Sequence, residues 1–314
     1  MKDQLLFLEP NFQHRIWGGR ALEEKFGYNI PAGNIGECWG ISAHPNGESR
    51  IKNGKYTGKK LSELWREAPE IFGKQQSEVF PLLVKILDAN DDLSVQVHPD
   101  DDYAKKHENG ELGKTECWYV IDCDENAEII FGHHANSKKE AIEMIEKGEW
   151  ERFLKRQPVK KGDFFYVMSG TIHALCKGTI ILEVQQSSDT TYRLYDYNRL
   201  DDKGNLRDLH IEKSLDVMAI PHVDVDTNPL IVVENETLSV VELISNEFFT
   251  VSKYMVSGVA QSQFKKSTYA LISMIAGSGL IAGQPVKKGD HVIVPNGVRE
   301  VKLDGEFEMI VAQP

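Results

Sequence analysis

A chain of 314 residues with 41% hydrophobic and 27% charged side chains can bury a large core, and its length favours two domains over one. The formal net charge of -12 excludes the clustered Lys and Arg excess that a nucleic-acid backbone demands. No apolar run approaches bilayer-spanning length, and the opening MKDQLLFLEPNF lacks the basic and apolar stretches of a secretory signal, so a cytoplasmic protein without membrane contact is expected.

Taken in chain order, ALEEKFG (21 to 27) and LSELWREAPEIFG (61 to 73) carry apolar residues at helical spacing. SKKEAIEMIEKG (137 to 148) opens on a Ser137 to Glu140 capping box and stops at Gly148. Short strands fill most of the rest: VFPLLVKILDA, LSVQVHP, ECWYVID, AEIIFG, DFFYVMSG and TIILEVQQ, then LIVVEN, LSVVELIS, FTVSKYMV, ALISMIAG, HVIVPNG and FEMIVAQ after residue 230. Many short strands punctuated by Gly, Asn, Asp and Pro indicate a sandwich or barrel rather than alternating βαβ units. The turn-rich PHVDVDTNP, after a helical HIEKSLDVMA, marks a boundary near residue 225, with the helices in residues 1 to 225 and strands in 226 to 314. Cys38, Cys117, Cys123 and Cys176 form no C-x-x-C pair and read as reduced core thiols.

One phrase is written twice. VKKGDFFYVMSGTIHAL (159 to 175) aligns without a gap on VKKGDHVIVPNGVREVKL (286 to 303), so that Gly170 falls on Gly297 but His173 falls on Glu300. The expectation is one β unit on each side of the boundary, the second a scaffold that has dropped the site. In the first copy, a glycine turn presents His173 off the next strand.

Other ligand-type residues join it. In LSVQVHPDD, Gln96 and His98 are two apart on a strand and project from one face, and Glu116 heads the apolar run ECWYV. Polar groups at the leading edge of apolar strands are costly to bury unless something pairs with them. A divalent metal held by Gln96, His98, Glu116 and His173 answers that cost, and the mixed donor set suits Zn but also Fe, Mn or Co. Gln96 is the weakest member, since an amide is a poor ligand. His133 and His134 in FGHHANS, the acidic run Asp100, Asp101 and Asp102, and His107 are read as solvated turn or loop residues.

LSVQVHPDD, GKTE (113 to 116), the GD…SGTIHAL phrase, SDTTYRLYDYNR, FQHRIWGG and GECWGISAHPNGES together resemble the type I phosphomannose isomerases, the mannose-6-phosphate isomerases, in their short bacterial form. The resemblance implies a mainly β fold of two cupin-like jelly-roll domains with a few helices in the N-terminal part. It further implies interconversion of mannose 6-phosphate and fructose 6-phosphate through an enediolate, with one zinc ion per chain and a small sugar phosphate as partner, and it leaves the oligomeric state open. It carries the metal ligands onto Gln96, His98, Glu116 and His173, the catalytic arginine onto Arg193 and the active-site lysine onto Lys114. Ser94 and Trp17 become substrate contacts. Met168 departs from the proline usual at that turn. A metal beside Lys114 is expected to lower its pKa and make it a proton carrier. Two alternatives share the ligands: a dioxygenase-like cupin with a two-His, one-carboxylate iron site, and a sugar-binding cupin without turnover.

Overall fold

A computed structural model of the chain describes residues 5–75, 77–201, 203–264, 269–298 and 300–314, which leaves out the first part of the opening stretch. The fold is mainly β and the sheets are antiparallel, as the many short turn-bounded strands predict. One six-stranded sheet runs in the order Phe164–Val167, Glu116–Cys123, Thr179–Gln186, Leu82–Ala89, Ile35–Ile41, Asn11–Gly19. A five-stranded sheet runs Tyr192–Tyr195, Val95–Val97, His173–Leu175, Glu128–His133, Leu154–Pro158. The third sheet gathers the strands after residue 230 together with Leu6–Glu9, whose Leu6 pairs with Ile293, and Arg50–Ile51.

The two-residue period of a strand decides which face each side chain serves. Along Leu82–Ala89, Leu82, Val84 and Ile86 enter a core shared with Val251, Leu271, Ile293 and Ile310 of the third sheet. Leu87 and Ala89 face the other way, into a core with Trp118, Ile181, Ile129, Phe131 and Leu175 that the two smaller sheets enclose. Cys117, Tyr119, Ile121, Ile180, Leu182 and Val184 follow the first direction. Lys85, Glu116 and Glu183 have the opposite parity and therefore face the enclosed interior. In the five-stranded sheet, Val95, Val97, Ala174, Tyr192 and Leu194 pack outward with Ala141, Met144 and Ile145 of the helix Lys138–Glu146. Gln96, His173 and Arg193 consequently turn inward.

The helices follow their capping chemistry. Ala21–Phe26 ends on Gly27 in the left-handed region, φ 70°. The second periodic stretch divides into Leu61–Glu67 and a short 3-10 turn, Pro69–Ile71, because proline lacks the N–H and disfavours helical backbone before it. Ser137 accepts from the Glu140 N–H at 3.2 Å, but the Glu140 carboxylate accepts from the Asn136 N–H at 2.8 Å, so only half of the expected box forms. Asp100 to Asp102 are exposed, as expected, but they begin a helix rather than form a turn. Asp100 caps the helix Asp101–His107, accepting from the Tyr103 N–H at 2.8 Å. HIEKSLDVMA contributes the helix Ile211–Val217, and among the described residues no helix is long and apolar enough to cross a membrane.

The repeated phrase adopts one structure twice. In each copy the aspartate accepts from the backbone N–H three residues before it at 2.9 Å, Asp163 from Lys160 and Asp290 from Lys287. Gly162 and Gly289 have φ 93° and 90°, and Gly170 and Gly297 have φ 85° and 96°. The endings differ: His173 is buried, whereas Glu300 is exposed and accepts from Gln263 Nε2 at 3.1 Å.

The third sheet is fastened to the six-stranded one through His291. Tyr28 donates to the Gly289 carbonyl at 2.7 Å, so its oxygen accepts from His291 Nε2 at 3.0 Å, and Ser273 Oγ donates to Nδ1 at 2.9 Å. Burial lowers this imidazole from 6.5 to about 3. The unfolded chain therefore takes up the proton first, and this group weakens the fold as pH falls below 6.5 while costing nothing above it. Gly40 is required by the same contact, since a Cβ there would stand 2.2 Å from His291 Cε1. Gly40→Ala is expected to lower stability by about 1–3 kcal/mol in urea unfolding, and His291→Ala in the same chain to recover much of that loss. Purely additive losses would show that the two residues do not press on one another.

Candidate metal centre

Three inward-facing residues converge where strand ends meet the rim of the enclosed interior. His98 follows Val95–Val97, Glu116 begins its strand, and His173 begins the strand after the Gly170 turn. One ligand-type atom from each lies within 4.8 Å of the others, and all three residues are buried. A carbonyl can only accept, so His98 Nδ1 donates to Thr190 O and His173 Nδ1 donates to Thr171 O, each at 2.8 Å. Both rings are thereby oriented with the Nε2 lone pair toward Glu116, at 3.6 Å from Oε2 for His98 and 3.5 Å from Oε1 for His173. Two ligands at roughly 2.1 Å from one ion and at a tetrahedral angle stand roughly 3.4 Å apart. Among the described residues Glu116 Oε1 and His173 Nε2 find no hydrogen-bond partner although buried, a cost that coordination removes. The group fits a metal ion.

The charges around it are equally constrained. Burial, and next the Lys114 ammonium, lower His98 well below 6.5 and bring His173 to about 3, which keeps both imidazoles in the neutral form that ligates. Lys114 is 4% exposed, touches Glu116 Oε2 and lies 3.0 Å from His98 Nε2. Burial alone would lower its pKa, but Glu116 and then Glu183 outweigh it and raise it above 10.5. Burial and the Glu183 charge push the Glu116 carboxyl up, against the pull of Lys114.

A cavity of about 420 Å³ is lined by Lys114, Gln96, Ser94, Trp17 and Arg193, so every remaining residue singled out from the sequence faces one space. Gln96 lies directly opposite His173 on one side and Arg193 on the other, which places the three side chains in one row across three strands. Arg15, Glu37, Lys85, Glu183, Asp189 and Arg207 line the same cavity and were not singled out. Lys85 and Glu183 were detectable: each interrupts an apolar strand run, and they stand 3.3 Å apart. Glu37 is held to about 2; its burial is outweighed by Lys85 and by Arg15, whose Nε and Nη2 reach its two oxygens at 3.1 and 3.0 Å. Arg207 sits in a polar loop that carries no such signal. His133 corrects another expectation. It is 4% exposed, stacks on Phe153 with centroids 5.1 Å apart, and donates from Nε2 to Ala219 O at 2.9 Å.

Comparison with known proteins bears on the family of the chain. The family model "Phosphomannose isomerase type I, catalytic domain" matches residues 5–143, and "Mannose-6-phosphate isomerase, cupin domain" matches residues 239–314. Mannose-6-phosphate isomerase ManA of Bacillus subtilis is 52% identical over 316 residues, covering 99% of this chain and 99% of the relative. Mannose-6-phosphate isomerase of Streptococcus mutans is 52% identical over 311 residues, covering 98% and 97%. The crystal structure of the mannose 6-phosphate isomerase from Bacillus subtilis superposes with a TM-score of 0.95 at 48% identity, over 98% of this chain and 99% of that one.

His98→Ala, Glu116→Ala and His173→Ala are each expected to leave the protein folded with metal content well below that of the parent, by elemental analysis after dialysis. Glu300→Ala, at the matching position of the second phrase, should keep the parental content. Full metal in any two of the three ligand variants would overturn the assignment.

Proposed function

The chain belongs to the type I phosphomannose isomerases, and on that premise we propose that it interconverts mannose 6-phosphate and fructose 6-phosphate in the cytoplasm. The observation that carries this reading is the buried ammonium of Lys114, set between a metal-fitting triad and a cavity lined by further cations. His98, Glu116 and His173 hold the ion, with Gln96 as a fourth donor from the same row, and we assign zinc, one per chain. A bound divalent ion supplies positive charge for the two substrate oxygens that share the negative charge of the enediolate.

The chain's own groups do the rest. Lys114 stands against Glu116; with the Glu116 charge taken up by a bound ion it would be a neutral amine able to accept the proton from C2 and return it to C1. Arg193 donates to oxygen of the substrate; a guanidinium stays charged throughout the reaction and presents its donors as a rigid fork. Ser94 offers a hydroxyl and Trp17 an apolar wall to the sugar. Trp39 and Trp118 hold the neighbouring carboxylates in place, donating from Nε1 to Glu37 at 2.6 Å and to Glu183 at 3.0 Å. Residues 226 to 314 are assigned a scaffold role without a second metal. An iron dioxygenase would use the same triad but has no need of Lys114 or Arg193.

Metal-loaded protein incubated with mannose 6-phosphate is expected to form fructose 6-phosphate, measured by a coupled assay; no product would overturn the reading. Arg193→Ala should keep its metal and lose roughly 100- to 1000-fold in kcat. Lys114→Ala should slow solvent-deuterium entry into the sugar by roughly 100-fold or more, and undiminished exchange would return that lysine to a structural role.

A further inference from the structure

The cations lining the cavity are not equally compensated. Arg15 is paired with Glu37, Lys85 with Glu183 and Lys114 with Glu116. At the far end the balance changes. Arg199 and Arg207 share one buried carboxylate, Asp196, and among the described residues the other carboxylate paired there is the exposed Asp91, 3.4 Å from Arg199. Arg193 has no carboxylate partner among the described residues: its Nη1 donates to the Asp208 backbone carbonyl at 2.8 Å, and its Nε is buried with no partner. Arg207 lies close enough that its charge, after burial, is the next cause lowering the Arg193 pKa. Two neighbouring guanidinium groups in a partly desolvated cavity repel one another, and an anion between them removes that cost.

Position along the cavity separates the roles of these cations. Lys114 touches the ligands themselves. Arg193 stands two strands from His173 in the cross-strand row, roughly 10 Å by ordinary strand spacing. Arg207 comes from the loop that follows Tyr192–Tyr195, the edge strand of that sheet, and is tied to Asp196, the residue just past that strand. Its Nε and Nη2 bond to Asp196 at 2.7 and 2.5 Å, which fixes the guanidinium plane, and its Nη1 has no partner among the described residues. A planar fork held by a buried carboxylate, with one edge open to a cavity, is preorganised for a tetrahedral oxyanion.

We propose that Arg207, locked by Asp196, is the anchor for the phosphate group of the substrate, at the end of the cavity away from the metal-fitting triad. This rests on the sugar-phosphate reading above and adds a division of labour to it: Arg207 holds the non-reacting end, while Arg193 lies between it and the reacting carbons. Asp196 is then a positioning residue, acting through Arg207.

Calorimetric titration of metal-loaded protein with inorganic phosphate tests the anchor without requiring turnover. Parent protein should bind phosphate, and Arg207→Ala should weaken it by roughly 10- to 100-fold. Arg207→Lys, which keeps the charge and guards against a loop that simply collapses, should fall between the two. In turnover, Arg207→Ala should raise KM for mannose 6-phosphate by a similar factor with kcat and metal content nearly unchanged, the opposite split from Arg193→Ala. Phosphate affinity and KM both unchanged in Arg207→Ala would overturn the anchor and leave the isomerase reading standing. Arg207-dependent phosphate binding in a protein that makes no fructose 6-phosphate would uphold the anchor and sink the isomerase reading.

Discussion

Charge buried inside the enclosed interior is the constraint on which this structure depends. Glu37, Glu116 and Glu183 are each at most 7% exposed, and an unpaired carboxylate in such a place is driven to protonate or to unfold its surroundings. Each is answered by a cation from another strand or loop: Arg15, Lys114 and Lys85. Two also accept an indole N–H, and Lys85 lies 5.0 Å over the ring of Trp39. Deeper in, the same space is filled by Trp118, Val120, Ile129 and Ile181, which keeps the polar ring at the rim. In the triad, protein groups alone leave Glu116 Oε1 and His173 Nε2 without a hydrogen bond among the described residues.

The six-stranded sheet serves two cores with its two faces. One face carries the apolar residues that pack on the third sheet, and the other carries Lys85, Glu116 and Glu183. A one-residue slip in any of these strands would exchange the sets, placing carboxylates in an apolar core and aliphatic side chains in the cavity. The register is therefore protected from both sides. The third sheet contributes apolar surface rather than ligands, and its echo of the VKKGD turn reproduces backbone geometry without a histidine.

The separation of cations along the cavity suits a substrate whose two ends differ chemically. Groups near the triad must handle charge that appears only during the reaction, whereas a phosphate carries its charge throughout. A rigid guanidinium held by a buried carboxylate fits the second task, and an ammonium in contact with the ligands fits the first.

His98, Glu116 and His173 were legible in the sequence because each interrupts or heads an apolar strand, where a polar side chain needs a reason to be. Strand parity alone assigned Gln96 and His98 to one face. The turn chemistry of the repeated phrase was equally local, and both copies fold alike. Pairings between distant segments were not legible: Lys85 meets Glu183 only through strand register, and Arg207 reaches the cavity through a loop. His133 was misjudged for the same reason, since the carbonyl that receives its hydrogen bond, Ala219, lies 86 residues away. The sequence by itself determined the strands, their turns and the ligand candidates, because those follow from spacing and from the cost of burying single polar groups. Only the tertiary structure decided which charges neutralise one another and which end of the cavity is left positive, because Coulomb energy depends on distance through space and not along the chain.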